Sequence, residues 1–195
     1  MERAQLKSMA KQQIQGNIGT FFVMTLIIAG VAAVANLIPV VGSIASVFII
    51  TPAFSIAMVA AYLKLTKGVQ PNVRELFDHF NEFWGAFKVS FFVGLFTALW
   101  SLLFWIPGII KALSYSMSMY ILAENPQMGA LEAINRSKAM MNGHKMDLFV
   151  LQLSFIGWHL LGAFTFGIAY VWITPYISAT TANFYNSIKN QPEIF

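Results

Sequence analysis

The sequence has no cysteine and little charge. Without a thiol there is no disulfide, no thiolate nucleophile and no Cys-type metal site. Charged residues make up 10% of the 195 positions, where a soluble globular chain carries roughly 25%. Other chemistry is missing too. There is no Gly-rich phosphate loop and no nucleophile elbow. His144 to Asp147 reads HKMD, which is not the zinc motif H-E-x-x-H. The scattered histidines and carboxylates make no recognisable acid/base pair, so no catalytic residue, metal ligand or cofactor is expected.

What the chain has instead is apolar surface. It is 57% hydrophobic, with a mean hydropathy of +0.65, which places it among membrane proteins. The opening "MERAQLKSMAKQQIQG" is polar, with charges spread along it. It does not read as a cleavable signal, and the apolar run after it reads as a retained first span. Crossing the hydrocarbon core takes about 20 apolar residues. Six stretches are candidates: Ile18–Ile38, Ser43–Leu63, Ala86–Ile106, Gly108–Ala123, Leu148–Gly167 and Ala169–Ile188. They pair across short connections, "PVVG" at Pro39–Gly42, "IPG" at Ile106–Gly108 and "TFG" at Thr165–Gly167. Proline lacks the N–H a helix needs and glycine has a permissive backbone, so these are turns. The expected fold is all-α: one integral membrane domain over residues 1–195, six transmembrane helices arranged as three hairpins. The fourth span is short, which predicts a kink or an incomplete crossing.

Amphipathic segments separate the hairpins. In "ELFDHFNEFWGAF", Leu76, Phe77, Phe80, Phe83, Trp84 and Phe87 share a helical face, and Glu75, Asp78 and Glu82 take the other. In the segment after Pro126, Leu131, Ile134 and Met141 oppose a Glu132–Arg136 pair at i, i+4. At the start, Leu6, Met9 and Ile14 oppose Arg3, Lys7 and Lys11. Interfacial helices are expected at all three places, with the acidic row either pairing with the basic one or forming a solvated face. The order suggests an internal repeat of 1–67, 68–125 and 126–195. "ITP" occurs at Ile50–Pro52 and at Ile173–Pro175, each followed by a serine (Ser55, Ser178) and a tyrosine (Tyr62, Tyr185) at equal distances. With six spans, eleven of the twelve Lys and Arg residues lie on one side. By the positive-inside rule that side is cytoplasmic and holds both termini. Lys111 is the exception.

Lys111 shares a helical stripe with Ser114, Tyr115 and Ser118. Two readings stand here: a lysine stem snorkelling to the outer interface, or a polar path or cavity inside the bundle. The second and sixth spans carry matching stripes, Thr51, Ser55, Met58, Tyr62 and Thr174, Ser178, Thr181, Tyr185. Such hydroxyl residues let helices approach closely; the functional alternative is a weakly polar central cavity. His159 and Gln152 on the fifth span read as hydrogen-bonded residues of a bundle. Arg136, Lys138 and Lys145 are candidate contacts for anionic lipid or a partner protein. Nucleic acid is not an expected partner, and the oligomeric state stays open.

The run "IPGIIKALSYSMSMYILAENPQMGALEAINRSKAMMNGHKMDLFVLQLSFIGWHLL", with "RAQLK" near the start and "TPYISATTANFY" near the end, resembles an uncharacterised bacterial integral-membrane family catalogued as domain of unknown function 975. More loosely, "ALEAINRSKAMMNGHKMDLF" is similar to membrane domains attached to some glycerophosphodiester phosphodiesterases, whose catalytic domain has no room here. The resemblance implies a multi-span protein of a bacterial cell membrane and carries over no activity or catalytic residue. Three functions are therefore expectations. The first is a non-enzymatic protein that moves or accommodates a small solute or lipid. The second is a scaffold or regulator that binds membrane-protein partners or anionic lipid. The third is a lipid-modifying enzyme using the polar residues around His144 and Asp147.

Overall fold

The computed structural model describes residues 2–103 and 105–189. All regular structure among them is helical. A first polar helix, α1 (Arg3–Ile14), precedes the apolar α2 (Ile18–Ala35). The chain turns into α3 (Pro39–Ala45), passes through a π-helical turn at Ser46–Ile50, and continues as α4 (Thr51–Thr66). The π turn has a local cause. Pro52 has no N–H to give the Phe48 carbonyl four residues back, and Thr51 gives both its backbone N–H and, at 2.8 Å, its Oγ1 hydrogen to the Ser46 carbonyl five residues back.

A single turn, α5 (Glu75–Asp78), and a 3-10 turn at Phe80–Glu82 lead into the long α6 (Phe83–Leu103), which returns as α7 (Trp105–Tyr115) and α8 (Ser118–Glu124). A polar helix, α9 (Ala130–Met140), precedes α10 (Lys145–Leu153), α11 (Ile156–Phe164) and α12 (Tyr170–Ile188).

Three antiparallel pairings organise these helices. In the first, Asn36 Nδ2 donates to Ser46 Oγ at 3.0 Å, and Phe21 stacks on Tyr62 at 4.5 Å. In the second, Trp100 faces Lys111 and Phe96 faces Tyr115. In the third, His159 bonds Tyr170 Oη at 3.3 Å, and Trp158 meets the Tyr176 ring at 5.8 Å. The expected turns at Pro39–Gly42 and Ile106–Gly108 lie instead in the opening turns of α3 and α7, while Thr165–Gly167 does fall in a turn, and glycine is needed where the two arms touch. A Cβ on Gly42 would run into the Ala35 carbonyl, and one on Gly108 would lie 3.0 Å from Ser101 Cα.

Two helices are interrupted, and each break is stapled by a polar helix. Between α7 and α8, Ser137 Oγ of α9 donates to the Ser114 carbonyl at 2.9 Å and accepts from the Met117 N–H at 3.1 Å. Between α10 and α11, Lys7 Nζ of α1 donates to the Ser154 carbonyl at 3.1 Å and lies 4.3 Å from the Phe155 ring centroid. Burial holds the Lys7 ammonium below the usual lysine range.

The expectation of six spans needs correction. Among the described residues, five helical stretches are long and apolar enough to cross a membrane: Ile18–Ala35, Val40–Thr66, Glu75–Leu102, Ile106–Glu124 and Lys145–Phe164. The expected sixth, Ala169–Ile188, does form the helix α12, but its polar residues exclude it. The reason is packing. On α12, Ala179, Thr180 and Ala182 have no exposed surface, and Asn183 is 3% exposed. Asn183 exchanges two amide hydrogen bonds with Gln13 of α1, and Asn186 donates to Thr66 of α4 at 2.7 Å. A helix surrounded by protein can be small and polar where one facing lipid cannot.

The expected amphipathic faces also shift. Leu76 is buried, but Phe77, Phe80 and Trp84 are exposed, and the segment from Glu75 breaks into two short turns rather than one helix. On α9 the covered residues are Ala130, Ala133, Ile134 and Ser137, while Leu131 is half exposed. The staple at Ser137 sets which face points inward.

Candidate functional site

The C-terminal ends of α4, α8 and α12 meet at one end of the bundle. Glu124, the last residue of α8, is at their centre. A carboxylate is unfavourable at a helix C-terminus, where unpaired carbonyls already concentrate negative charge. Three donors offset this. Lys189 Nζ donates to Glu124 Oε1 at 2.8 Å, Lys67 Nζ approaches the same oxygen at 3.4 Å, and Tyr185 Oη donates to Oε2 at 2.9 Å. Tyr185 is itself fixed by stacking on Tyr120, ring centroids 5.4 Å apart. Nearby, Lys64 pairs with Glu75 at 3.2 Å, and His79 Nδ1 bonds Glu82 at 2.8 Å.

These groups surround a pocket of about 580 Å³, whose lining includes Lys64, Lys67, His79, Glu124, Arg136, Tyr185 and Lys189. Arg136 stands on α9 and is exposed. Among the described residues it has no ion-pair partner; the expected Glu132–Arg136 pair is not among the ion pairs, which are Lys64–Glu75, Lys67–Glu124, His79–Glu82, His144–Asp147 and Lys189–Glu124. Nor does the acidic row meet the basic row of α1, since Glu75 and Glu82 have partners of their own. Four cations thus line the pocket against one lining carboxylate, Glu124, while Glu75 and Glu82 engage Lys64 and His79 from outside the lining.

The model of the family described as "Protein of unknown function (DUF975)" matches residues 1–114 and 102–192. The chain belongs to the DUF975 family. No curated protein and no solved structure matches it, so the looser likeness to phosphodiesterase membrane domains gains no support.

Several polar residues that stand out in this DUF975 sequence bond to their own helices. Ser114 Oγ donates to the Ile110 carbonyl at 2.7 Å, Ser118 to Tyr115 at 2.7 Å, Ser55 to Pro52 at 2.9 Å and Thr181 to Ile177 at 2.9 Å. Tyr115 is buried beside Phe96, Ser178 is half-buried, and Thr51 and Thr174 are exposed. The Lys111 ammonium lies 4.4 Å from the Trp100 ring centroid, over the other arm of its own hairpin. Beside the basic pocket, cavities of about 410, 340 and 280 Å³ are present, and the linings of all four include none of these nine residues. Of the three candidate lipid or partner contacts, Arg136 lines the basic pocket; Lys138 is exposed and Lys145 half-buried, and neither lines it.

The 410 Å³ cavity is lined in part by Glu2, Arg3, His144, Asp147 and Ser187. His144 Nδ1 lies 3.4 Å from Asp147 Oδ2, one helical turn away. Ser187 Oγ donates to the Phe184 carbonyl at 2.7 Å. Sequence reasoning did not bring Glu124, Lys67, Tyr185 and Lys189 together, and it passed over Ser137. For Glu124 one signal was present: an acid ending an otherwise apolar helix needs cations from elsewhere in the fold.

Proposed function

We propose that this family member is a non-enzymatic membrane protein that accommodates an anionic lipid or small anionic solute in the basic pocket between α4, α8, α9 and α12. The carrying observation is the set of four cations lining a pocket of about 580 Å³ against one lining carboxylate, with Arg136 unpaired among the described residues. Cations gathered at one end of an apolar bundle meet the headgroup layer, where each basic residue near an anionic surface contributes about 1 kcal/mol. By the positive-inside rule this end is cytoplasmic, in the cell membrane of a bacterium. Both termini lie there although only five helices count as apolar spans, because α12 returns through the bundle and Glu2 and Arg3 share a cavity with Ser187 and Ile188. The internal repeat is part of the same reading, supported by the three antiparallel helix pairs.

A second reading, holding a lipid or partner in place rather than moving a solute, draws support from the helix hydroxyls. Ser55, Ser114, Ser118 and Thr181 donate to neighbouring carbonyls instead of lining a passage.

The test is purification in native lipid, with mass spectrometry of what accompanies the protein, for the wild type and an Arg136→Gln/Lys67→Gln variant. Enrichment of an anionic species with the wild type and its loss from the variant is the expected result. Identical profiles for the two proteins would overturn the proposal.

A further inference from the structure

Resting on that reading, we infer that the group bound in the basic pocket is a phosphate dianion, either free inorganic phosphate or the phosphomonoester headgroup of a lipid. The charge balance selects the valence. Four cations line the pocket against the single lining carboxylate Glu124, which favours the more highly charged of two anions; a phosphodiester or a carboxylate brings one negative charge, and a phosphomonoester brings close to two at neutral pH. The donor set selects the geometry. Arg136 offers a planar fork suited to paired oxygens of a phosphate, while Lys67 and Lys189 are compact point charges that approach from other sides.

Glu124 adds a second, independent element. Its Oε1 holds Lys67 and Lys189 at 3.4 and 2.8 Å, so an internal carboxylate already engages the lysines an incoming anion would use. It acts as a resident competitor. Removing the Glu124 charge frees two cations for the ligand, and removing the Arg136 charge takes one away. The two changes therefore move affinity in opposite directions, which a purely structural role for these residues would not do.

The experiment uses the full chain in nanodiscs of phosphatidylcholine. One arm titrates inorganic phosphate; another replaces part of the lipid with phosphatidic acid; a third uses phosphatidylglycerol, a diester, at equal charge. Thermal stability and phosphorus NMR are the readouts. Phosphate or phosphatidic acid is expected to protect the protein beyond what chloride or phosphatidylglycerol achieves, and the arm that protects names the source. Arg136→Gln is expected to weaken binding about tenfold, the effect of losing one charge-assisted hydrogen bond, and Glu124→Gln to tighten it. Arg136 is exposed, so its variant keeps the fold if Glu124→Gln does not. Protection no better than that of phosphatidylglycerol, or an unchanged affinity in Arg136→Gln, overturns the inference. If an anionic species still co-purifies in that case, only the phosphate assignment falls. If none does, the accommodating role falls with it.

Discussion

The two ends of the bundle are built from different chemistry. At the basic end, Glu124, Lys67, Lys189 and Tyr185 are tied to one another, and on the α12 segment that leads there Ala179, Thr180 and Ala182 are fully covered by protein. At the hairpin-turn end, large apolar side chains face outward: Leu37 is 79% exposed, Ile106 72% and Phe166 98%. Water would penalise that second surface, and lipid would not. The contrast teaches where protein holds protein. Polar bonds and small residues concentrate where helices must recognise each other, and bulk is left for the bilayer.

Mutations sharpen this contrast, and the largest effect belongs at the stapled break. Ser137 is fully buried and satisfies two backbone groups, the Ser114 carbonyl and the Met117 N–H. Ser137→Ala leaves both orphaned, for an expected loss of about 2–4 kcal/mol. Reversible unfolding in mixed micelles measures it, and Ser137→Thr should recover part. A loss under about half a kcal/mol would show that the break needs no staple.

At the opposite end, Gly42→Ala forces a methyl group against the Ala35 carbonyl. The expected cost is about 1–3 kcal/mol, typical of overpacking. Gly30→Ala, at a position where a Cβ meets nothing within 4 Å, is the control and should be neutral or better. If both substitutions behave alike in thermal unfolding, the turn end is not packed protein on protein even at its glycines.

Returning to the basic end, Glu124→Gln weakens three contacts and is expected to lower stability by about 1–2 kcal/mol in the absence of ligand. Added salt should narrow the difference from wild type, because the lost pairs are partly exposed. A salt-independent difference would mean that the hub works by packing and not by charge.

The smallest effect concerns Lys111. Its contact with Trp100 contributes about 0.5–1 kcal/mol at a site of this exposure. Lys111→Met should cost no more than that, and adding Trp100→Leu to the Lys111→Met variant should cost nothing further. Strong loss in Lys111→Met alone would assign Lys111 a second partner.

The helical class was legible because it rests on apolar length, a local feature; the turns were placed a few residues late, since Pro39–Gly42 opens α3 and Ile106–Gly108 lies in the first turn of α7. The status of α12 was not legible. The polar residues that lower its hydropathy, Asn183 and Asn186 among them, stand in the sequence, but their partners on α1 and α4, which explain why a helix there can be polar, do not. The polar stripes were visible as patterns, but hydroxyl spacing is silent on whether Ser114 bonds its own helix or a neighbour. The basic pocket was least legible, because its charges come from Lys64, Lys67, Glu124, Arg136 and Lys189. Only the packing of helix ends joins them. Arg136 was singled out for lipid contact by its sign alone; the pocket supplies the company it keeps.

Arg136 and Ser137 are adjacent on α9, and they face different tasks. One borders the basic pocket, and the other clasps the interruption between α7 and α8. In mechanical terms α9 is a handle fixed to a hinge. It cannot be drawn toward or away from the pocket without loading the hydrogen bonds that keep Ser114 and Met117 in register. A shift of the α9 backbone at Arg136 reaches the adjoining Ser137, whose two bonds close the break in the apolar helix.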